Sequence, residues 1–98
     1  MKRAQSLGAL ALASWSILLA PQTATAETVL VTGLEEGEML KLRSGPGTGY
    51  RVIVGLPDGT ALRNHGCDRI GGTPWCKVTL KEARGLTGYV SGHYLKDR

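Results

Sequence analysis

The chain has 98 residues and a formal charge of +4, from twelve Lys and Arg against eight Asp and Glu. That length allows one domain at most. The mild charge shows no dense basic stripe of the kind that marks a nucleic-acid binder, and it permits only a weak preference for anionic polymers.

The first segment reads as a targeting signal. Lys2 and Arg3 give a positive start, and Leu7 to Ala20 is uncharged and mostly apolar. That run is shorter than the roughly 20 residues that span a bilayer. Pro21 breaks it, and Ala24-Thr25-Ala26 forms an A-x-A cleavage site. The pattern predicts a secretory signal peptide over 1–26, cut before Glu27. The alternative, an uncleaved membrane anchor, is disfavoured by the short core and the clean site. No Cys follows the run to carry a lipid. The expectation is a mature domain over 27–98 in the periplasm or outside the cell, with no stable membrane insertion after cleavage. Without Lys2 and Arg3, ten cationic residues face eight acidic ones, about +2.

The mature segment reads as a series of short strands. Glu27–Thr32 is rich in Val and Thr, and Gly33–Gly37 is a charged turn. Met39–Arg43 alternates, with Leu40 and Leu42 on one face and Lys41 and Arg43 on the other, which predicts a strand with one buried side. Ser44–Gly49 holds too much Gly and Pro for a regular element. Arg51–Leu56 is a third strand. Pro57-Asp58-Gly59-Thr60 suits a β-turn. Thr60–Cys67 is a fourth strand, Asp68–Pro74 a flexible hairpin loop that reverses at Gly71-Gly72, and Trp75–Leu80 a fifth strand. On that strand Cys76, Val78 and Leu80 share one face, and Trp75, Lys77 and Thr79 take the other. Leu86–Val90 is a sixth strand, and Ser91–Leu95 reads as a terminal helical turn. The expected class is all-β: a small barrel of five to six short antiparallel strands.

A domain of this size has a thin stability margin and often needs a staple. Cys67 and Cys76 face each other across the predicted hairpin, and export would place them in an oxidising compartment. The pair reads as a structural disulfide. A metal site would need Cys67, Cys76, His65 and His93 to converge, and their spacing fits no usual zinc pattern. No metal and no cofactor is expected.

The run LKLRSGPGTGYRVIVGLPDGT, from Leu40 to Thr60, closely resembles the bacterial SH3 (SH3b) signature L-N-V-R-S-G-P-S-T-x-Y-x-V-I-G-x-L-P-x-G-T. The later W-C-K-V and G-Y-V-S-G-H-Y-L resemble that family's closing pattern, W-x-x-V followed by G-W-V-S-x-x-Y-L. The cysteine pair also occurs in one branch of the family. The resemblance covers Thr28 to Leu95. Lys41 stands where Asn is usual, which removes a side chain able to bond the adjacent loop. Tyr89 stands where Trp is usual. The resemblance implies an SH3-like barrel that acts as a targeting or interaction module of the cell envelope. Its expected partner is a cell-wall peptide, or alternatively another exported protein.

The resemblance directs attention to the loop Ser44–Arg51 and nearby rings. Tyr50, Trp75, Tyr89 and Tyr94 are candidate ligand contacts, with Arg43 and Arg51 as charge contacts. Aromatic rings offer flat area with a polar edge, and Arg can fork onto a carboxylate. Against this, Tyr89 and Tyr94 read more readily as barrel-closing rings, and Arg43 and Arg51 as solvated charge. For Trp75 the surface and buried readings stand equal, whereas Tyr50 leans to exposure. No enzyme is expected. Ser91 and His93 form no triad without an acid and an oxyanion site. No paired carboxylates mark a cleft, and the glycine loop precedes a strand and lacks a P-loop Lys.

Overall fold

The computed structural model describes residues 26–98. The predicted signal peptide lies outside the described residues, apart from Ala26 at its end. Seven strands follow: β1 (Glu27–Val31), β2 (Leu40–Arg43), β3 (Val52–Leu56), β4 (Ala61–Ile70), β5 (Thr73–Leu80), β6 (Thr87–Ser91) and β7 (Leu95–Asp97). A 3-10 turn over Gly92–Tyr94 joins the last two. All pairings are antiparallel, in one sheet of order β3-β2-β6-β5-β4-β1-β7.

Alternation fixes which side of each strand is buried. Val29 and Val31 of β1, Leu40 and Leu42 of β2, and Cys76 and Val78 of β5 all enter one cluster with Leu56, Leu62 and Val90. β1 and β2 lie four places apart in the strand order, yet their apolar side chains share that core. The sheet is therefore rolled on itself, the small SH3-like barrel expected from the sequence. Leu42, Leu62, Val78 and Val90 are fully buried. At about 25 cal/mol per Å² such side chains dominate the folding free energy.

Three expectations need correction. The segment Asp68–Pro74 is not a flexible loop, because β4 runs on to Ile70 and β5 starts at Thr73. Only Gly71 and Gly72 form the turn, with φ of 60° and 88°. Two successive positive φ values match the strand twist, so the ladder continues to the turn itself. Arg69 also donates to the carbonyl of Gly72 at 2.8 Å. Secondly, the chain does not end on the helical turn. Leu95–Asp97 forms a seventh strand against β1, pairing Val31 with Leu95 and Val29 with Asp97. Thirdly, Tyr89 and Tyr94 are not core rings: neither belongs to the buried core, and Tyr94 is exposed, although Tyr89 stands where β2 pairs with β6.

Two ladders carry an extra residue. In β3, Val54 pairs with Leu42 and Val52 with Arg43, which leaves Ile53 as a bulge. In β4, Asn64 pairs with Val78 and Gly66 with Lys77, which leaves His65 unpaired. Gly66 there takes φ of 137°, a conformation that side chains oppose. Its N–H is held by Asn64 Oδ1 at 3.0 Å.

Candidate functional site

The loop after β2 is built around Arg43. Its Nη1 donates to the carbonyls of Thr48 and Tyr50, each at 3.0 Å. Ser44 N donates to Arg51 O at 2.9 Å and Gly47 N to Gly45 O at 3.0 Å. The Tyr50 ring lies against Gly45 so closely that a Cβ there would collide with it. The loop is thus a closed turn on a half-buried cationic post. Lys41, in place of the Asn that could have bonded the loop, leaves that work to Arg43. The expectation that Arg43 is merely solvated charge is corrected by these bonds and by its half-buried side chain.

Beside this loop runs an open groove of about 200 Å³. Lys41 and Arg43 line it from the outer face of β2, preceded by Met39 and Glu38. Leu34 enters from the β1–β2 connection, Thr48 from the loop, Trp75 from β5, and Ser91 and Tyr94 from the end of β6 and the 3-10 turn. Trp75 is only 8% exposed, although it points away from the face that carries Cys76 and Val78. The surface reading of Trp75 fails because the outer face of β5 is covered at this point. Thr48 and Tyr94 stand on its groove side, and Pro46 and Tyr89 border a second depression on its other side. Trp75 is therefore the floor of the groove and Tyr94 a wall.

Of the six candidate contacts, the structure brings together Arg43, Trp75 and Tyr94. Tyr89 sits beyond Trp75 with Lys77 and His65. Tyr50 is half exposed, its ring folded over Gly45 and Gly47. Neither Tyr50 nor Arg51 lines the groove. Sequence reading missed Leu34, Glu38, Met39, Lys41 and Ser91. One signal was available: period two places Met39, Lys41 and Arg43 on the same outer face of β2, and Met39 is an apolar residue that stays 53% exposed there.

Cys67 and Cys76 form a disulfide. It packs against the turn that carries Tyr94, since a Cβ at Gly92, the first residue of that turn, would stand 2.9 Å from the Cys76 sulfur. Among the described residues no cluster of His, Cys, Asp and Glu is arranged to hold a metal. No helix among them is long and apolar enough to cross a membrane.

A rolled seven-stranded sheet, a glycine-rich loop locked by an arginine and an aromatic groove beside it define a small SH3-like binding module. The family model for the bacterial SH3 domain matches residues 38–96, and the chain belongs to that family. It is also 26% identical over 106 residues to the uncharacterized protein YraJ of Bacillus subtilis (strain 168), an alignment that covers 97% of this chain and 89% of that protein. No solved structure gives a significant match.

Proposed function

We propose that the protein is exported and docks non-covalently onto a peptide of the cell wall, using the groove between β2 and the 3-10 turn. The observation that carries this reading is the joint placement of Trp75, Tyr94 and Met39 beside Lys41 and Arg43. Flat apolar area next to a held arginine and an exposed lysine suits a short extended peptide with polar ends. A volume of about 200 Å³ is below the roughly 300 Å³ at which small-molecule pockets begin, so the groove fits one or two side chains. Export is supported by the charged start, apolar run and cleavage site. The reading includes no catalytic step.

Co-sedimentation of the purified, oxidised protein with isolated peptidoglycan sacculi tests the reading. Saturable binding that falls at least tenfold in Tyr94→Ala is expected, whereas Tyr50→Ala leaves it near wild type. Binding that is indifferent to Tyr94 and Met39 would place the site elsewhere.

A second reading, an exported protein partner, is favoured by the free edge of β3, where Val52 and Val54 are exposed. An extended segment adds to such an edge by main-chain bonds. The bulge at Ile53 interrupts that edge, as bulges do where strand addition is resisted. In-cell cross-linking to one discrete protein, with no retention on sacculi, would support it.

A further inference from the structure

We infer that the groove recognises the free carboxylate terminus of the cell-wall peptide, with Arg43 as the anchor. This rests on the groove being the binding site and adds which chemical group it reads and in which direction the peptide lies.

The geometry of Arg43 carries the argument. A guanidinium has five N–H donors in a rigid fork. The two loop carbonyls use Nη1 alone, which leaves the edge formed by Nε and Nη2. That edge matches the two oxygens of a carboxylate. Both carbonyls belong to a closed loop, so the side chain is ordered before any ligand arrives. An anchor already held in place loses little freedom on binding. Arg43 is half-buried on the outer face of β2, and Lys41 lies two residues along the same face, also in the groove. The nearly buried ring of Trp75 lines the same groove, and apolar surface beside a charge-assisted hydrogen bond strengthens it.

The far end of the groove has the opposite sign. Glu38 lines it and is held by a bond from Glu35 N to its Oε1 at 3.0 Å. A peptide carboxylate is repelled from that end and drawn to the Lys41 and Arg43 end. The ligand therefore lies with its C-terminus beside Arg43 and its preceding residues over Trp75 toward Met39. The small volume admits a terminus with one or two residues, as in the exposed end of a cell-wall stem peptide.

Two kinds of probe test this. The first is native sacculi against sacculi whose carboxyl groups have been converted to methylamides. The second is diacetyl-Lys-D-Ala-D-Ala as free acid and as C-terminal amide, followed by tryptophan fluorescence. Wild type should bind the acid forms at least tenfold more tightly than the capped forms. Arg43→Gln should bind acid and capped forms with the same low affinity. Because Arg43 also holds the loop, Lys41→Gln, which touches no loop carbonyl, is the second variant. It should lose a few-fold on the acid forms and nothing on the capped ones. Tyr94→Ala should weaken both forms in parallel. Equal binding of acid and capped forms by wild type overturns the carboxylate inference and leaves the groove as the site. Binding of neither sacculi nor peptide acid overturns both. A free-acid preference among ordinary L-peptides, with no retention on sacculi, overturns the cell-wall source and moves the carboxylate to a protein C-terminus.

Discussion

Cys67 faces Cys76 because His65, one residue more than the opposing strand accommodates, is bulged out of the ladder. Up to Asn64 and Val78 the ladder of β4 and β5 is regular, and a continued register would set Gly66 opposite Cys76. The bulge at His65 shifts the register, so that Gly66 meets Lys77 and Cys67 meets Cys76. His65 itself turns outward, where its Nε2 and Thr79 Oγ1 are 2.8 Å apart.

Deletion of His65 should therefore leave the disulfide in place, because without the extra residue the ladder runs on regularly and Cys67 still meets Cys76. The expected product, like the wild type, binds no thiol reagent under native conditions, as read by mass, and two equivalents bound would show that the bulge itself is needed to bring the cysteines together. Closing a loop of about ten residues contributes roughly 2–3 kcal/mol, so reduction of the wild type should lower its melting temperature by about 10 °C or more. An unchanged midpoint after complete reduction would show that the bridge adds nothing.

At Gly88, β6 packs tightly against β2. A Cβ there would stand 2.7 Å from the carbonyl oxygen of Arg43 and 2.8 Å from Leu42 Cγ. Neither the backbone nor the buried Leu42 can move away freely. Gly88→Ala should cost about 1–3 kcal/mol through overpacking, read as a shift of the urea midpoint. Gly85→Ala is the control, since nothing lies within 4 Å of that site, and it should change stability by less than about 0.5 kcal/mol.

The loop over Ser44–Arg51 depends on Arg43 and Gly45 jointly. Loss of two hydrogen bonds at about 1 kcal/mol each should open it often enough for trypsin to cut after the exposed Arg51. Limited proteolysis with mass detection is expected to show that cut at least ten times faster in Arg43→Gln than in wild type. Gly45→Ala should do the same by displacing the Tyr50 ring, without altering any charge.

Leu42 is fully buried at the centre of the core. Leu42→Ala should cost about 2–5 kcal/mol, a large share of the stability of so small a domain. Chemical denaturation should show a folded baseline that is shortened or lost. Val54→Ala, at the exposed edge of β3, should shift the midpoint little.

The sequence by itself determined what is local. Alternation in Leu40–Arg43 and Trp75–Leu80 names the buried faces, Gly71-Gly72 names the reversal, and two separated motifs name the family. These signals are local because a residue's side of its own strand depends on its neighbours alone. Tertiary structure decided what covers each face. Trp75 points away from the core face as its spacing says, yet it is buried because the 44–51 loop and the 3-10 turn close over it. Leu95–Asp97 becomes a strand only because β1 offers a free edge. The groove combines residues from Leu34 to Tyr94, sixty positions apart in the chain. Only the rolling of the sheet brings them together, since contacts of that range follow from strand order and curvature.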